Sequence, residues 1–118
     1  MKDFEKREEI LDAARRAVNG ARQAIYGSPE DSFQRIAHLW NAYLWGKGHP
    51  GGLTPVDVAL MMVQLKTARL MQDPGHADSW IDIAGYSACG GGAAVSDEDL
   101  AVACGTAVEK SKPTAKKG

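Results

Sequence analysis

Cysteine and long apolar runs are both scarce in this sequence, and each scarcity excludes a class of protein. Its two cysteines, Cys89 and Cys104, have neither a C-x-x-C partner nor a nearby histidine pair, so a zinc site is not expected. No apolar run approaches the roughly 18 residues that cross a bilayer, and the charged start "MKDFEKREEI" is not a secretory signal. We therefore expect no membrane partner, and free thiols in a reducing cytoplasm.

Positive charge is also scarce outside the end of the chain. The net charge is −1, and the last nine residues, "KSKPTAKKG", hold four lysines, so the remainder is acidic. No basic stripe crosses that remainder, and general nucleic-acid binding is not expected. With an apolar fraction of 44%, the sequence predicts a single helical domain over residues 1–109 and a disordered basic tail over 110–118.

One four-residue pattern recurs four times, as "SPED" (28–31), "TPVD" (54–57), "SWID" (79–82) and "SDED" (96–99). In each, Ser or Thr is followed three residues later by an acid, which is the spacing of a capping box at a helix start. Two of the four place proline at the first helical position, where its missing N–H costs nothing. The pattern predicts helices that start near Ser28, Thr54, Ser79 and Ser96.

Apolar residues follow a helical period between these signals. The sequence predicts a first helix over about residues 4–25, weakened at Asn19-Gly20, and a third, apolar on most sides, over about 56–71. A short fourth helix is expected over about 80–89, ending at the glycines 90–92, and a fifth over about 97–109. No segment alternates apolar and polar residues as a strand does. The predicted fold is all-α, with a four-helix core bundle and a weaker C-terminal helix.

The segment "VQLKTARL" (63–70) carries two cations near the end of the most apolar helix. Lys66 and Arg69 are three apart and adjacent on the helix surface. They are candidates for binding a phosphate, for which Arg offers a bidentate fork. A structural alternative remains open, because cations near a helix C-terminus are favoured by its dipole and Asp73 can pair with Arg69.

The segment "DSWIDIAGYSA" (78–88) places two acids at a helix start. Asp78 and Asp82 are four apart, so on a helix both carboxylates could reach one cation or one ligand. The alternative is a cap, with Ser79 as N-cap, Asp82 as its box partner and Asp78 just outside the helix.

Two aromatic residues complete the candidate ligand-binding set. Tyr26 precedes Gly27 and a helix N-terminus, where free N–H groups attract anions, although the sequence favours the alternative that Tyr26 closes the core and Gly27 makes the turn. Trp45 borders the glycine-rich loop "WGKGHPGGL" (45–53) and is a candidate for stacking on a base.

The motifs "YG-P", "K-x-x-R-L" and "D-x-x-x-D-x-x-x-Y" resemble a small helical domain common in bacteriophage genomes and without an assigned function, over about residues 10–88. The fourth helix is also distantly similar to that of the MazG-like all-α pyrophosphohydrolases, which hold Mg²⁺ on E-x-x-E and E-x-x-D motifs. That resemblance implies Asp78 and Asp82 as metal ligands, but their spacing is four rather than three. For the first motif the chain offers Glu8, Glu9 and Asp12 in the first helix, or the adjacent Glu30 and Asp31 in the second. Of these, Glu9-x-x-Asp12 keeps the spacing with a shorter acid.

Three functions remain open from the sequence. The first is a phage-type protein that sequesters a nucleotide or nucleotide-derived signal in the cytoplasm of the infected host, to counter host defence, without a cofactor. The second is a MazG-like Mg²⁺-dependent hydrolase of nucleoside triphosphates, and the third is a structural interaction domain. In each case we expect a homo-oligomer, because the second and third helices hold more apolar residues than the core can hide.

Overall fold

The fold is entirely helical in the parts of the chain that the structure, a computed structural model, describes: residues 1–20 and 27–107. Five helices follow one another there, and no strand is present among these residues. They are α1 (Asp3–Asn19), α2 (Pro29–Gly46), α3 (Pro55–Gln72), α4 (Ala77–Ala94) and α5 (Asp97–Ala103). The all-α prediction is confirmed, and the predicted tail over 110–118 lies outside the described residues.

Three of the four predicted caps are present with their hydrogen bonds. The hydroxyls of Ser28, Thr54 and Ser96 each accept the backbone N–H of the residue three positions later. At Thr54 the box is complete, because Asp57 Oδ2 also accepts the Thr54 N–H at 2.8 Å. Local hydroxyl chemistry therefore sets the starts of α2, α3 and α5.

The start of α4 differs from the prediction, and the assignment of Ser79 as N-cap is wrong. The N-cap is His76, so Ser79 is the third helical residue, fully buried, with its hydroxyl 2.9 Å from His76 Nδ1. The turn before it is tight, since the His76 N–H donates to the Asp73 carbonyl and the Gly75 N–H donates to Asp73 Oδ1. Because of this turn, the helix starts earlier than predicted and Asp78 lies in its first turn, where the helix dipole stabilises an acidic side chain.

Helix α4 also continues beyond its predicted end, through Gly90, Gly91 and Gly92 to Ala94. Glycine has poor helix propensity, but here the missing side chain permits close packing. A Cβ atom at Gly90 would lie 2.9 Å from the Ala59 Cβ on α3. Tertiary packing therefore overrides the local preference that predicted a stop.

The first and last helices are shorter than predicted. Helix α1 ends at Asn19, the first residue of the Asn19-Gly20 pair that weakens the helical pattern. Residues 21–26 lie outside the described part. Helix α5 ends at Ala103 because Gly105, with φ of +76°, turns the chain and lets the Thr106 N–H donate to the Ala101 carbonyl. A left-handed glycine just after a helix ends it in this way.

The core lies between α2, α3 and α4. Helices α3 and α4 run antiparallel, since Ala59 near the start of α3 meets Gly90 near the end of α4, while Lys66 further along α3 meets Asp82. Helix α1 packs against α4, with Val18 beside Gly85. Four side chains form the buried cluster, and five partly buried ones pack around it: Phe33, Ala37, Val58 and Ala59, with Ile36, Trp40, Met62, Tyr86 and Cys89.

A side-chain clamp joins α2 to the residue before the N-cap of α3. The Asn41 amide is buried, donates to the Leu53 carbonyl at 3.0 Å and accepts the Leu53 N–H at 2.8 Å. The glycine-rich loop between them thus has a fixed end beside α2. None of the described helices is both long and apolar enough to cross a membrane.

The glycines of α4 make a testable contrast. We expect Gly90→Ala to destabilise the protein by roughly 1–3 kcal/mol, because the added methyl group overlaps Ala59. At Gly92 the same change meets no atom within 4 Å, and relief of glycine's entropic cost should stabilise the helix by about 0.5–1 kcal/mol. Urea unfolding of both variants checks the opposite signs, and equal effects would contradict the packing role of Gly90.

Candidate functional site

A cavity of about 440 Å³ opens where α1, the start of α2, α3 and α4 approach one another. Its volume lies within the usual range of small-molecule pockets, roughly 300–1,000 Å³. All four helices contribute described side chains to its wall, most of them apolar or small. They are Ala17, Val18, Gly27, Ser28, Pro29, Ser32, Phe33, Ile36, Met62, Lys66, Ile81, Asp82, Gly85, Tyr86 and Cys89.

An ion pair is the charged part of this wall. Lys66 Nζ lies 3.0 Å from Asp82 Oδ2, and the two side chains are 18% and 38% exposed. Antiparallel packing of α3 on α4 brings these residues together across the helix interface. Because Asp82 is more than a third exposed, the pair contributes at most about 1 kcal/mol to stability. It instead places one hydrogen-bond donor and one acceptor side by side in the cavity.

Aromatic and apolar side chains form the less polar part of the wall. The rings of Phe33 and Tyr86 have centroids 6.0 Å apart and are tilted by 41°, a separation typical of favourable aromatic pairs. Ile36, Met62 and Ile81 extend this surface. A flat apolar group would find aliphatic side chains and the partly buried ring of Tyr86 here, whereas Phe33 belongs to the buried core.

Neutral polar groups enter the cavity from the first turn of α2. Ser28 and Ser32 both line it. The Ser28 hydroxyl oxygen accepts the Asp31 N–H at 3.2 Å, so its own O–H is still available to donate. Sequence reasoning interpreted Ser28 as a helix signal alone and gave Ser32 no role.

The remaining predicted site residues lie elsewhere or outside the described part. Arg69 and Asp78 are exposed and are not among the described lining residues. Trp45 is 61% exposed at the far end of α2, where its indole ring covers Gly51. Tyr26 lies within residues 21–26, outside the described residues. Of the predicted set, the structure therefore brings Lys66 and Asp82 together.

The residues present do not fit a magnesium cage. Within residues 1–20 and 27–107, no three His, Cys, Asp or Glu side chains lie close enough together to hold a metal ion. Asp82 is already paired with Lys66, and Asp78 is exposed in the first turn of α4. Mg²⁺ in catalytic sites requires several oxygen ligands in near-octahedral geometry, so no chemical step is assigned to a metal here.

One thiol lies in the cavity wall. Cys89, on α4, is half-buried, and burial first and the nearby Glu30 carboxylate second raise the pKa of its thiol. It also lines a smaller neighbouring cavity of about 160 Å³, together with Phe33 and Glu30. Sequence reasoning missed Cys89, Phe33 and Met62 as lining residues, because apolar periodicity identifies a buried helix face without showing where that face leaves a gap.

Relatives of this chain are found among bacteriophage proteins. It is 45% identical over 78 residues to the Gene 55 protein of Mycobacterium phage L5, which covers 66% of this chain and 47% of that protein. It is 38% identical over 82 residues to the Gene 55 protein of Mycobacterium phage D29, covering 70% and 51% respectively. The chain thus spans about half the length of the curated relatives it matches. No solved structure matches it significantly.

A family model, described as a domain of unknown function (DUF6378), matches residues 9–94. The matched segment extends from within α1 to the last residue of α4 and therefore contains every described residue that lines the cavity. Because the model covers well over half of the sequence, this chain belongs to the DUF6378 family.

Proposed function

We propose that this protein binds and sequesters a nucleotide or nucleotide-derived signalling molecule in the cavity between α1, α2, α3 and α4. The observation that carries the proposal is the position of Lys66, a mostly buried cation paired with Asp82, in a wall whose other described side chains are apolar, aromatic, hydroxyl or thiol groups. Clefts of this kind, apolar with a few convergent polar groups, are typical small-molecule sites.

The parts of a nucleotide match the parts of the wall. Lys66 is suited to a phosphate oxygen, and the Ser28 and Ser32 hydroxyls supply neutral donors nearby. Asp82 accepts hydrogen bonds and suits a ribose hydroxyl or a base N–H group. Tyr86, which packs against the buried Phe33, offers ring surface to the base.

Binding is favoured over hydrolysis. A MazG-like pyrophosphohydrolase remains the alternative, but the lack of a metal-binding acid cluster within the described residues argues against it. Both relatives are phage proteins, so sequestration in the cytoplasm of an infected host would keep the ligand from host enzymes or defence proteins. A structural interaction domain is the remaining alternative, in which the Lys66–Asp82 pair only ties α3 to α4.

The rate at which the Cys89 thiol is labelled reports on the cavity, because Cys89 lies in its wall. In a Cys104→Ser background it is the sole thiol of the chain, and only its thiolate form reacts. Because burial and Glu30 raise its pKa, less thiolate is present at a given pH, and labelling at pH 7 should be slow and accelerate as pH rises. We expect Glu30→Gln to lower this pKa and speed labelling at pH 8. Asp31→Asn, at an exposed neighbour, is the matched control, and equal rates in both variants would contradict the contribution of Glu30.

We expect a bound nucleotide to protect Cys89 from labelling. The Cys104→Ser protein would be titrated with adenosine, AMP, ATP, 3′,5′-cyclic AMP and NAD, with and without Mg²⁺, and the labelling rate measured. Lys66→Met should weaken protection at least tenfold, because it removes the cation that faces the phosphate. Arg69→Met should change it less than twofold, because Arg69 does not line the cavity.

Recovery of the bound molecule separates the three functions. Intact ligand released on heat denaturation supports sequestration, whereas AMP and pyrophosphate formed from ATP support the hydrolase. If no member of the panel protects Cys89 or is consumed, the proposal is wrong and the structural interpretation holds. Lys47→Met, at an exposed lysine after α2, controls for a general loss of positive charge.

We also propose that the protein forms a homodimer through α2 and α3. Of the apolar residues expected to exceed the core, Trp40 and Met62 pack against it, whereas Tyr43, Trp45 and Met61 remain exposed. Leu39 and Tyr43 lie one turn apart on α2, and Met61 and Leu65 lie one turn apart on α3, so each pair forms an exposed apolar ridge. No Asp, Glu, Lys or Arg occurs in 36–46 or 58–65, so this apolar surface suits contact with the same surface of a second copy.

Light scattering tests the dimer at micromolar concentration. We expect about twice the 12.6 kDa mass of one chain, and a return to one chain in the Leu39→Gln/Tyr43→Gln double variant with helix content unchanged. Met71→Gln, at an 82% exposed position on the last turn of α3, should leave the dimer intact. A monomer at all concentrations in the unmodified protein would refute this association.

A further inference from the structure

A smaller cavity adjoins the candidate ligand site at Cys89. Its volume is about 160 Å³, and Pro29, Phe33 and Cys89 line both it and the larger cavity. An apolar cavity of about 150 Å³ can hold a benzene-sized ring. The smaller cavity therefore has room for one edge of a planar base whose remainder lies in the larger cavity.

One face of α4 runs along both cavities. Asp82, Tyr86 and Cys89 line the larger cavity, and Cys89 and Ala93 line the smaller one. These residues are three or four positions apart and so share a helix face. The helical rise puts the Cys89 backbone about 10 Å from that of Asp82. The Lys66–Asp82 pair thus lies at one end of this face and the smaller cavity at the other, which matches the order of phosphate, sugar and base in a nucleotide.

The described polar side chains of the smaller cavity present hydrogen-bond acceptors. Glu30 and Gln34, one turn apart on α2, both line it. The Glu30 carboxylate is close enough to Cys89 to raise the pKa of that thiol, so it faces the boundary between the two cavities. An ionised carboxylate only accepts hydrogen bonds. The Gln34 amide nitrogen lies 2.9 Å from His38 Nε2, which leaves the Gln34 amide oxygen to accept as well.

Bases differ in the edge that they present to such acceptors. Guanine carries two adjacent donors, the ring N1–H and the 2-amino group, and the two oxygens of a carboxylate can accept both. Adenine places an unprotonated ring nitrogen beside its amino group, so the same carboxylate would meet a lone pair. Hypoxanthine keeps the N1–H but lacks the 2-amino group and is intermediate. An acceptor-lined cavity therefore complements guanine best.

We propose that the smaller cavity is a base-edge subsite and that the ligand class is a guanine nucleotide, with the Glu30 carboxylate accepting the N1–H and the 2-amino group. This inference rests on the proposed nucleotide-binding function and adds its base specificity. The phosphate then lies at Lys66, the face of the base lies against Tyr86, and its edge passes Cys89. Sites that hydrogen-bond a ligand N–H group discriminate more strongly than apolar pockets do, so Glu30 is the specificity determinant.

GMP, IMP and AMP test the inference, because they share the ribose phosphate and differ only at the base. Calorimetry on the full chain, without Mg²⁺, should give tightest binding for GMP, then IMP, then AMP. We expect GMP to bind at least tenfold more tightly than AMP. Equal affinities, or tighter binding of AMP, would refute guanine specificity while nucleotide binding stands. If none of the three binds, the proposed function itself fails.

A variant of Glu30 tests the cause of the specificity. Glu30→Gln should bring the affinities of GMP and AMP within twofold, because a neutral amide can both donate and accept and so can pair with either edge. Asp31→Asn, at an exposed neighbour that is not among the described lining residues of either cavity, should keep the tenfold ratio. An unchanged ratio in Glu30→Gln would refute the role of Glu30.

A cavity-filling variant tests the subsite without changing its charge. Ala93→Leu, near the end of α4, should occupy the smaller cavity and reduce the preference for GMP to below threefold, because the base edge no longer reaches Glu30. Ala94→Leu is the matched control, at the adjacent exposed position that is not among the described lining residues. A full GMP preference that survives in Ala93→Leu would show that the base binds elsewhere.

Discussion

The close approach of α3 and α4 is the constraint on which the rest of this structure depends. Gly90 meets Ala59 at a distance that leaves no space for another methyl group, and the fully buried Val58 lies beside this contact. Dispersion contacts at such short range are lost steeply when a gap opens. This helix pair sets the register that places Lys66 opposite Asp82 further along the same interface.

The cavity follows from what packs on this pair. Helix α1 meets α4 at Gly85, and α2 meets the pair at Phe33 and Ala37. The cavity opens between these two contacts, at the first turn of α2 and the middle of α4. The candidate site is therefore a product of helix arrangement, and its polar groups come from three different helices.

Features encoded by neighbouring residues could be predicted from the sequence. The caps at Ser28, Thr54 and Ser96 depend on groups three residues apart, and helical periodicity was sufficient for the all-α fold. The prediction of Ser79 as an N-cap is wrong because its hydroxyl contacts the His76 ring instead of capping α4. The same four-residue pattern therefore gives its hydroxyl a different hydrogen-bonding partner at this site. The continuation of α4 through Gly90–Gly92 depends on Ala59, which is distant in sequence.

The candidate site was predictable in part for the same reason. Lys66 and Asp82 could be selected from the sequence because charge within an apolar segment is conspicuous. Arg69 and Asp78 carry similar charge nearby in sequence, yet they are exposed and outside the described cavity wall, since a shift along the helix changes the face a side chain occupies. Phe33, Tyr86 and Cys89 have the same periodicity whether they fill a core or border a cavity.

Because of the Asn41 clamp, the positions of α2 and α3 do not depend on the length of the glycine-rich loop between them. Both backbone groups of Leu53 are held by one amide on α2, so the chain enters α3 from a point fixed by that side chain. Residues 47–52 therefore connect two ends whose positions are already set, and lengthening such a loop costs little entropy. This segment is a natural place for length to vary between relatives, and a suitable place to insert a fluorescent or affinity tag, while α2 and α3 keep their relative position. Its sequence is more restricted, because Trp45 packs on Gly51 and because Gly48 and Gly52 have φ of +82° and +93°.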